Sequence, residues 1–139
     1  MLQAGTDTAT GLRVLVVDDS AVLRDRVRAA LEEAGLMVVG EAADGAHALT
    51  QAATRDPDVV LMDLRMPGMD GIQAARALRE QQPETRVVLW TGEDDAQLAS
   101  AIRKSGAHAG VAKGIRTAEL VAILRRVCEA RPRWRQGVR

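Results

Sequence analysis

Aromatic residues are almost absent from this sequence. It contains no Phe and no Tyr, and Trp90 and Trp134 are its only tryptophans. Proteins that bind single-stranded nucleic acid stack the bases on aromatic side chains, so this shortage argues against that class of protein. Apolar residues nevertheless make up 47% of the 139 residues. We therefore expect one domain whose core is built from Val, Leu, Ile, Ala and Met.

Cysteine is equally scarce, since Cys128 is the only one in the chain. A single Cys excludes an internal disulfide and a zinc site made of several thiolates. The sequence also lacks a secretory leader and an apolar run long enough to cross a membrane. We expect a soluble cytoplasmic protein without a membrane partner.

The chain has no excess of charge of either sign, because 19 basic residues balance 19 acidic ones. Four of the basic residues crowd the last nine positions: Arg131, Arg133, Arg135 and Arg139. The rest of the chain therefore carries 15 basic against 19 acidic residues. Such a mildly acidic body offers no evident surface for duplex DNA. We expect nucleic-acid binding only if an output domain follows residue 139.

Short apolar runs alternate with amphipathic segments, a pattern typical of a parallel sheet covered by helices on both sides. The runs predict five strands: 13–17, 36–40, 58–62, 86–90 and 109–112. The segments between and after them predict five helices: from the N-cap Ser20 to Gly35, from Asp44 to about Thr54, from Asp70 to before Pro83, from Glu93 to Gly106, and from Thr117 to Ala130. We expect a disordered lead over residues 1–10, one domain over residues 11–130, and an Arg-rich tail or linker stub over residues 131–139.

Carboxylate, hydroxyl and ammonium side chains follow four of the five predicted strands. Asp18 and Asp19 follow the first strand, Asp63 the third, Thr91 the fourth and Lys113 the fifth. Ligands of open parallel sheets bind beyond the carboxyl ends of the strands, so we expect these side chains to form one site. Three neighbouring carboxylates repel one another unless a cation lies among them, and Mg²⁺ takes oxygen ligands. Taken singly, each residue also fits an ordinary turn, cap or surface role. Taken together, they contain the groups needed to move a phosphoryl group onto a carboxylate.

The sequence resembles a response-regulator receiver domain, the phosphoaccepting half of two-component signalling, over residues 12–130. Three pieces carry the resemblance: the run from Val14 to Ser20, the run from Asp63 to Gly71, and the pair Thr91 and Lys113. The segment from Gly106 to Lys113, followed by a helix rich in Ile and Leu, resembles receivers attached to LuxR-type DNA-binding domains. The resemblance implies a doubly wound, flavodoxin-like (βα)5 fold with strand order 2-1-3-4-5.

The resemblance also implies a function. Asp63 would accept a phosphoryl group from a sensor histidine kinase or a phosphotransfer protein. Lys113 would pair with Asp63 and then with a phosphate oxygen, and Thr91 would move to bind another. The face formed by the fourth helix, fifth strand and fifth helix would then bind a partner or a second copy of the chain. Such a domain is a switch that assists its own phosphorylation and dephosphorylation, and not an enzyme acting on other molecules.

Metal ligation and the lifetime of the phosphoryl group are further implied roles. Asp19, Asp63 and the backbone carbonyl of Arg65 would ligate Mg²⁺, and Asp18 would act mostly through a water on the metal. Side chains two residues beyond Asp63 and Thr91 tune phosphoryl lifetime in receivers. We therefore hypothesise that Arg65 and Glu93 pair across the mouth of the site and slow hydrolysis; two solvated side chains are the alternative.

Gly110 is the clearest departure from the receiver pattern. Receivers usually have Tyr, Phe or His three residues before the lysine, and that ring swings inward when the hydroxyl residue engages phosphate. Without a ring at Gly110, either the loop before the fourth helix carries the signal alone, or switching is weak. Trp90, next to Thr91, is a candidate substitute for the ring. The simpler interpretation, which we favour, is that its indole only fills space at the end of its strand.

Two other classes of protein remain as alternatives. One is a pseudo-receiver, an interaction module that signals without phosphate, which Gly110 favours. The other is a hydrolase of the haloacid-dehalogenase type, which also uses a strand-end Asp with Mg²⁺. That enzyme would need an Asp-x-Asp motif, whereas Asp18 and Asp19 are adjacent and Asp63 is followed by Leu64 and Arg65.

Overall fold

The computed structural model describes residues 11–92 and 96–129. The strands are β1 (Arg13–Val17), β2 (Met37–Ala42), β3 (Val59–Asp63), β4 (Arg86–Thr91) and β5 (Ala109–Ala112). The helices are α1 (Ala21–Glu33), α2 (Gly45–Arg55), α3 (Gly71–Gln81), α4 (Ala96–Ser105) and α5 (Thr117–Glu129). Each predicted strand bound is correct to within two residues. The predicted lead at 1–10, the predicted start of the fourth helix at 93–95 and the predicted tail at 131–139 lie outside the described residues. Among the described residues, no helix has the length and apolar character needed to cross a bilayer.

All five strands are parallel and lie in the order β2-β1-β3-β4-β5. This confirms the predicted fold. β1 and β3 are adjacent at the centre, and their sequences are runs of Val, Leu and Met because both faces of each strand are buried. The order places the carboxyl ends of β1 and β3 side by side, where the acidic residues begin.

The core has two layers, one on each face of the sheet. Successive side chains of a strand point to opposite faces, so Leu15 and Val17 pack on one side and Val14 and Val16 on the other. The first layer lies under α2, α3 and α4 and the second under α1 and α5. Because helices cover both faces, the site can open only at an edge of the sheet.

Three helices begin with a side-chain cap directly after a loop at the carboxyl edge. Ser20, Asp44 and Asp70 each accept a hydrogen bond from the backbone N–H three residues ahead, at 3.2, 2.8 and 2.9 Å. Gln73 returns a bond to the backbone N–H of Asp70, which completes a capping box. Each cap stabilises its helix by about 1 kcal/mol. The caps therefore fix where α1, α2 and α3 leave the edge that carries the site.

Candidate functional site

Three carboxylates converge at the carboxyl ends of β1 and β3. Asp18 and Asp19 directly follow β1, and Asp63 is the last residue of β3. One carboxylate oxygen from each lies within 4.8 Å of the others. Asp18 and Asp63 are only 1% and 3% exposed, whereas Asp19 is exposed. The cluster thus has two buried members and one that faces solvent.

Lys113 brings an ammonium into this cluster from a strand two positions away from β3. Its backbone N–H donates to the Thr91 carbonyl at 2.7 Å, which continues the pairing of β4 with β5 past the end of β5. Its ammonium lies 5.3 Å from the centre of the Trp90 ring. Nζ then reaches Asp18 Oδ2 at 2.6 Å and Asp63 Oδ1 at 3.3 Å. One ammonium therefore bridges both buried carboxylates, and the shorter contact is to Asp18.

The positive charge of Lys113 does not fully offset the negative charges of Asp18 and Asp63. Burial, and next the charge of Asp18, raise the pKa of Asp63 to about 6, although Lys113 and the Arg65 backbone N–H act in the opposite direction. Burial opposes the charge on Lys113, but its hydrogen bond to Asp18 and the charges of both acids outweigh burial, so the pKa of Lys113 is raised. Lys113 therefore stays protonated at neutral pH, whereas the site disfavours the ionised form of Asp63.

The donor set suits a hard divalent cation. All three side chains offer carboxylate oxygens, and together they bring more negative charge than one ammonium offsets. Mg²⁺ binds through one or two carboxylates and keeps several waters, which the exposed position of Asp19 allows. The residues present therefore fit a magnesium ion.

Backbone hydrogen bonds hold the two buried carboxylates in place. Asp18 Oδ1 accepts from the Ser20 N–H at 2.9 Å, and the Asp18 N–H donates to the Ala42 carbonyl at 3.1 Å. Asp63 Oδ1 accepts from the Arg65 N–H at 3.2 Å. These contacts orient the acids before any ligand arrives, which is the preorganisation that electrostatic catalysis needs.

Thr91 and Arg65 lie close to Asp63 in the fold: Thr91 ends the neighbouring strand β4, and Arg65 lies in the loop that follows β3. Thr91 ends β4 and is 1% exposed, and the Leu64 N–H donates to the Trp90 carbonyl at 2.9 Å, which keeps the loop beside β4. Arg65 Nη2 donates to Gln97 Oε1 on α4 at 3.0 Å. No pattern in the sequence indicates this contact with Gln97. Glu93 lies outside the described residues, so its pairing with Arg65 stays a prediction.

The position of the missing aromatic ring is filled by α4. A Cβ added to Gly110 would lie 2.8 Å from Leu98 Cδ1 and 2.9 Å from Ile102 Cδ1. Trp90 packs in the core layer under α1 and α5, on the opposite face of the sheet. The indole therefore does not take the place of a ring at Gly110. The four-residue spacing of Leu98 and Ile102 marks one face of α4, but the sequence does not reveal what that face covers.

The profile of the response regulator receiver domain family matches residues 14–125. The chain is 38% identical over 117 residues to the response regulator GacA of Pseudomonas viridiflava, which covers 84% of this chain and 55% of GacA. It is 44% identical over 96 residues to protein-glutamate methylesterase/protein-glutamine glutaminase 3 of Hahella chejuensis, which covers 68% of this chain and 28% of that protein.

Among solved structures, a two-component response regulator of the LuxR family from Aurantimonas sp. SI85-9A1 is similar to this chain. It superposes with a TM-score of 0.81 at 33% identity, over 87% of each chain. The match to the sequences of GacA and the methylesterase spans about half or less of those proteins. The family match thus covers most of the described residues, and the chain spans only part of the length of the curated relatives.

Proposed function

The chain belongs to the response regulator receiver domain family, and from that premise we propose that Asp63 is its phosphoacceptor. The observation that carries the proposal is the position of this carboxylate, buried at the end of β3 within 4.8 Å of two further acids and 3.3 Å from the Lys113 ammonium. The receiver would span residues 11–130, preceded by a lead over 1–10 and followed by a tail or linker stub over 131–139.

The transfer step uses groups that the fold already holds in position. A carboxylate oxygen of Asp63 attacks phosphorus, the new O–P bond forms as the P–N bond of a phosphohistidine donor breaks, and the departing imidazole nitrogen keeps the electron pair and takes a proton from water. Lys113 lies beside the accepting carboxylate, so its ammonium stabilises negative charge on the transferred group. Thr91, at the end of the neighbouring strand, would donate its hydroxyl to another phosphoryl oxygen.

Mg²⁺ is the cofactor that we propose for this step. Asp19, Asp63 and the Arg65 backbone carbonyl would hold it, and Asp18 would act mostly through a water. When bound, the ion supplies positive charge that offsets the charge of the phosphoryl oxygens. The chain's own contribution is to keep Asp18 and Asp63 buried and oriented by backbone hydrogen bonds.

Phosphorylation would be read on the face formed by α4, β5 and α5. A phosphoryl group adds about −1.5 to −2 charges beside the loop whose Arg65 contacts Gln97 on α4. Leu98 and Ile102 occupy the space next to Gly110, so a displacement of α4 would be transmitted directly to β5. This face would bind a partner or a second copy of the chain.

The cellular partners follow from this role. A sensor histidine kinase or a phosphotransfer protein would supply phosphate in the cytoplasm, and DNA would be a partner only if an output domain follows residue 139. The receiver assists its own phosphorylation and dephosphorylation and acts on no other molecule. The alternative, favoured only by Gly110, is a pseudo-receiver that binds its partner without phosphate.

Intact-protein mass after incubation with acetyl phosphate tests the proposal. With Mg²⁺ present, the parent should gain the mass of one phosphoryl group, and chelation of the metal should prevent the gain. Asp63→Asn should gain nothing. Asp70→Asn is the matched control, because Asp70 lies at the end of the same loop and Asn also caps helices. It should be phosphorylated like the parent.

Two results would contradict the proposal. Equal phosphorylation of Asp63→Asn and the parent would place the phosphate elsewhere. An unchanged mass of the parent under all conditions, including incubation with a phosphorylated histidine donor, would favour the pseudo-receiver.

A further inference from the structure

Arg24, on the first turn of α1, reaches back to the backbone of the acidic cluster. Its Nη1 donates to the carbonyl oxygen of Asp18 at 2.6 Å, and its Nε pairs with Glu41 Oε1 at 3.0 Å. The side chain is 18% exposed. The guanidinium is therefore held against a peptide group of the cluster.

A hydrogen bond holds each of the two peptide groups that flank Asp19, and Arg24 makes one of these bonds. The peptide before Asp19 is held at its carbonyl by Arg24, and the peptide after it is held at its N–H, because the Ser20 N–H donates to Asp18 Oδ1 at 2.9 Å. The orientation of two successive peptide planes fixes φ and ψ of the residue between them. The direction in which the Asp19 side chain leaves the backbone is thus set by these two bonds. Because Asp19 is exposed, packing contributes little to its position.

Glu41 explains why a cation this close leaves the carboxylate oxygens of the cluster accessible. It lies on β2, next to β1 in the sheet, and pairs with both Arg24 and Arg28. Its charge offsets that of Arg24, and its contact directs the guanidinium toward the Asp18 carbonyl. Arg24 thereby orients the acidic loop through the backbone and does not occupy the side-chain oxygens of Asp18 and Asp19.

We infer that Arg24 is a positioning residue for Mg²⁺ binding. It fixes the peptide between Asp18 and Asp19, so that the three carboxylates converge on one point. The inference rests on the proposed function, since it supposes that the cluster binds Mg²⁺. Arg24 acts through the backbone and touches no transferred group. Loss of residues that orient metal ligands typically lowers metal affinity ten- to hundredfold.

Arg28 provides a matched control on the same helix. It binds the same Glu41 carboxylate and also Glu32 and the Val38 carbonyl, but its hydrogen bonds do not reach the Asp18 carbonyl. Arg24→Met and Arg28→Met each keep the aliphatic stem and remove the guanidinium. Both changes should lower the thermal midpoint without metal, whereas only Arg24→Met should weaken Mg²⁺ binding.

The experiment is a titration with MgCl₂ alone, followed by tryptophan fluorescence and by the rise of the thermal midpoint with metal concentration. Arg24→Met should raise the dissociation constant about tenfold, and Arg28→Met should change it less than twofold. Arg24→Lys should lie between the parent and Arg24→Met, because an ammonium keeps the charge but lacks the planar two-sided geometry.

The outcomes separate the inference from the function on which it rests. Equal affinities of Arg24→Met and Arg28→Met would overturn the positioning role and leave Arg24 a purely structural residue. If Arg24→Met does not fold, Arg24→Lys carries the test, and a parent-like affinity there would overturn the inference. If the parent itself binds no Mg²⁺, the metal part of the proposed function fails.

Discussion

At the scale of single residues, the fold disfavours the ionised form of Asp63. Its pKa is 3.8 in an ordinary setting and about 6 in the folded domain. Between these values the folded state holds a proton that the unfolded state has released, so stability falls as pH rises from about 4 to about 6. Above that range, and without metal, ionised Asp63 costs about 3 kcal/mol, because each pKa unit corresponds to about 1.4 kcal/mol. We predict that Asp63→Asn raises the thermal midpoint at pH 7.5 by roughly 8 °C.

The pH dependence distinguishes this prediction from a general effect of the substitution. At pH 4 the parent carboxyl is largely protonated, so the advantage of Asp63→Asn should nearly vanish, and millimolar Mg²⁺ at pH 7.5 should also reduce it by stabilising the parent. Asp19→Asn is the control, since Asp19 is exposed in the same cluster. Calorimetric midpoints that differ equally at both pH values would contradict the assigned cause.

At the scale of elements, the contact between α4 and β5 depends on glycine. A Cβ at position 110 would approach Leu98 Cδ1 and Ile102 Cδ1 to 2.8 and 2.9 Å, closer than van der Waals contact. We predict that Gly110→Ala destabilises the domain by about 1–2 kcal/mol, because α4 must move or its side chains must change rotamer. Urea unfolding measures the change. A second substitution, Leu98→Ala, should make the added methyl group less harmful, so the two effects should not be additive.

Gly114 provides the control for that experiment. A Cβ there meets nothing within 4 Å, so Gly114→Ala should be neutral or stabilise by up to about 1 kcal/mol through the unfolded state. If both alanine variants shift the urea midpoint alike, the close packing of α4 on β5 is not the cause.

Sequence patterns predicted the elements well and the contacts between them less well. Alternation of apolar runs with capped helices was enough to place Asp18, Asp63 and Lys113 at one edge, because the carboxyl ends of parallel strands share that edge. The sharing of Lys113 between two acids depends on side-chain rotamers that periodicity does not encode. The contact from Arg24 to the Asp18 carbonyl likewise depends on how α1 sits on the sheet.

At the scale of the whole molecule, contacts between described residues link the site to the proposed signalling face. The loop after Asp63 contacts α4 through Arg65 and Gln97, and α4 contacts β5 through the side chains beside Gly110. A cavity of about 370 Å³ lies between this loop, α3 and α4, with Arg65 and Gln97 among its lining residues. Open space on that side leaves α4 room to move, so a charge added at Asp63 can bias its position.

We therefore predict that Gln97→Ala uncouples α4 from the site without affecting phosphorylation. In the parent, acetyl phosphate and Mg²⁺ should change the hydrogen exchange of α4 amides, because the phosphoryl group and Gln97 compete for the Arg65 guanidinium. Gln97→Ala should reach the same phosphorylated fraction by mass, with the exchange response at least halved. Ser100→Ala, which alters the lining of the same cavity, should respond like the parent. A full response in Gln97→Ala would show that the signal reaches α4 by another route, and no response in the parent would argue against α4 as part of the switching face.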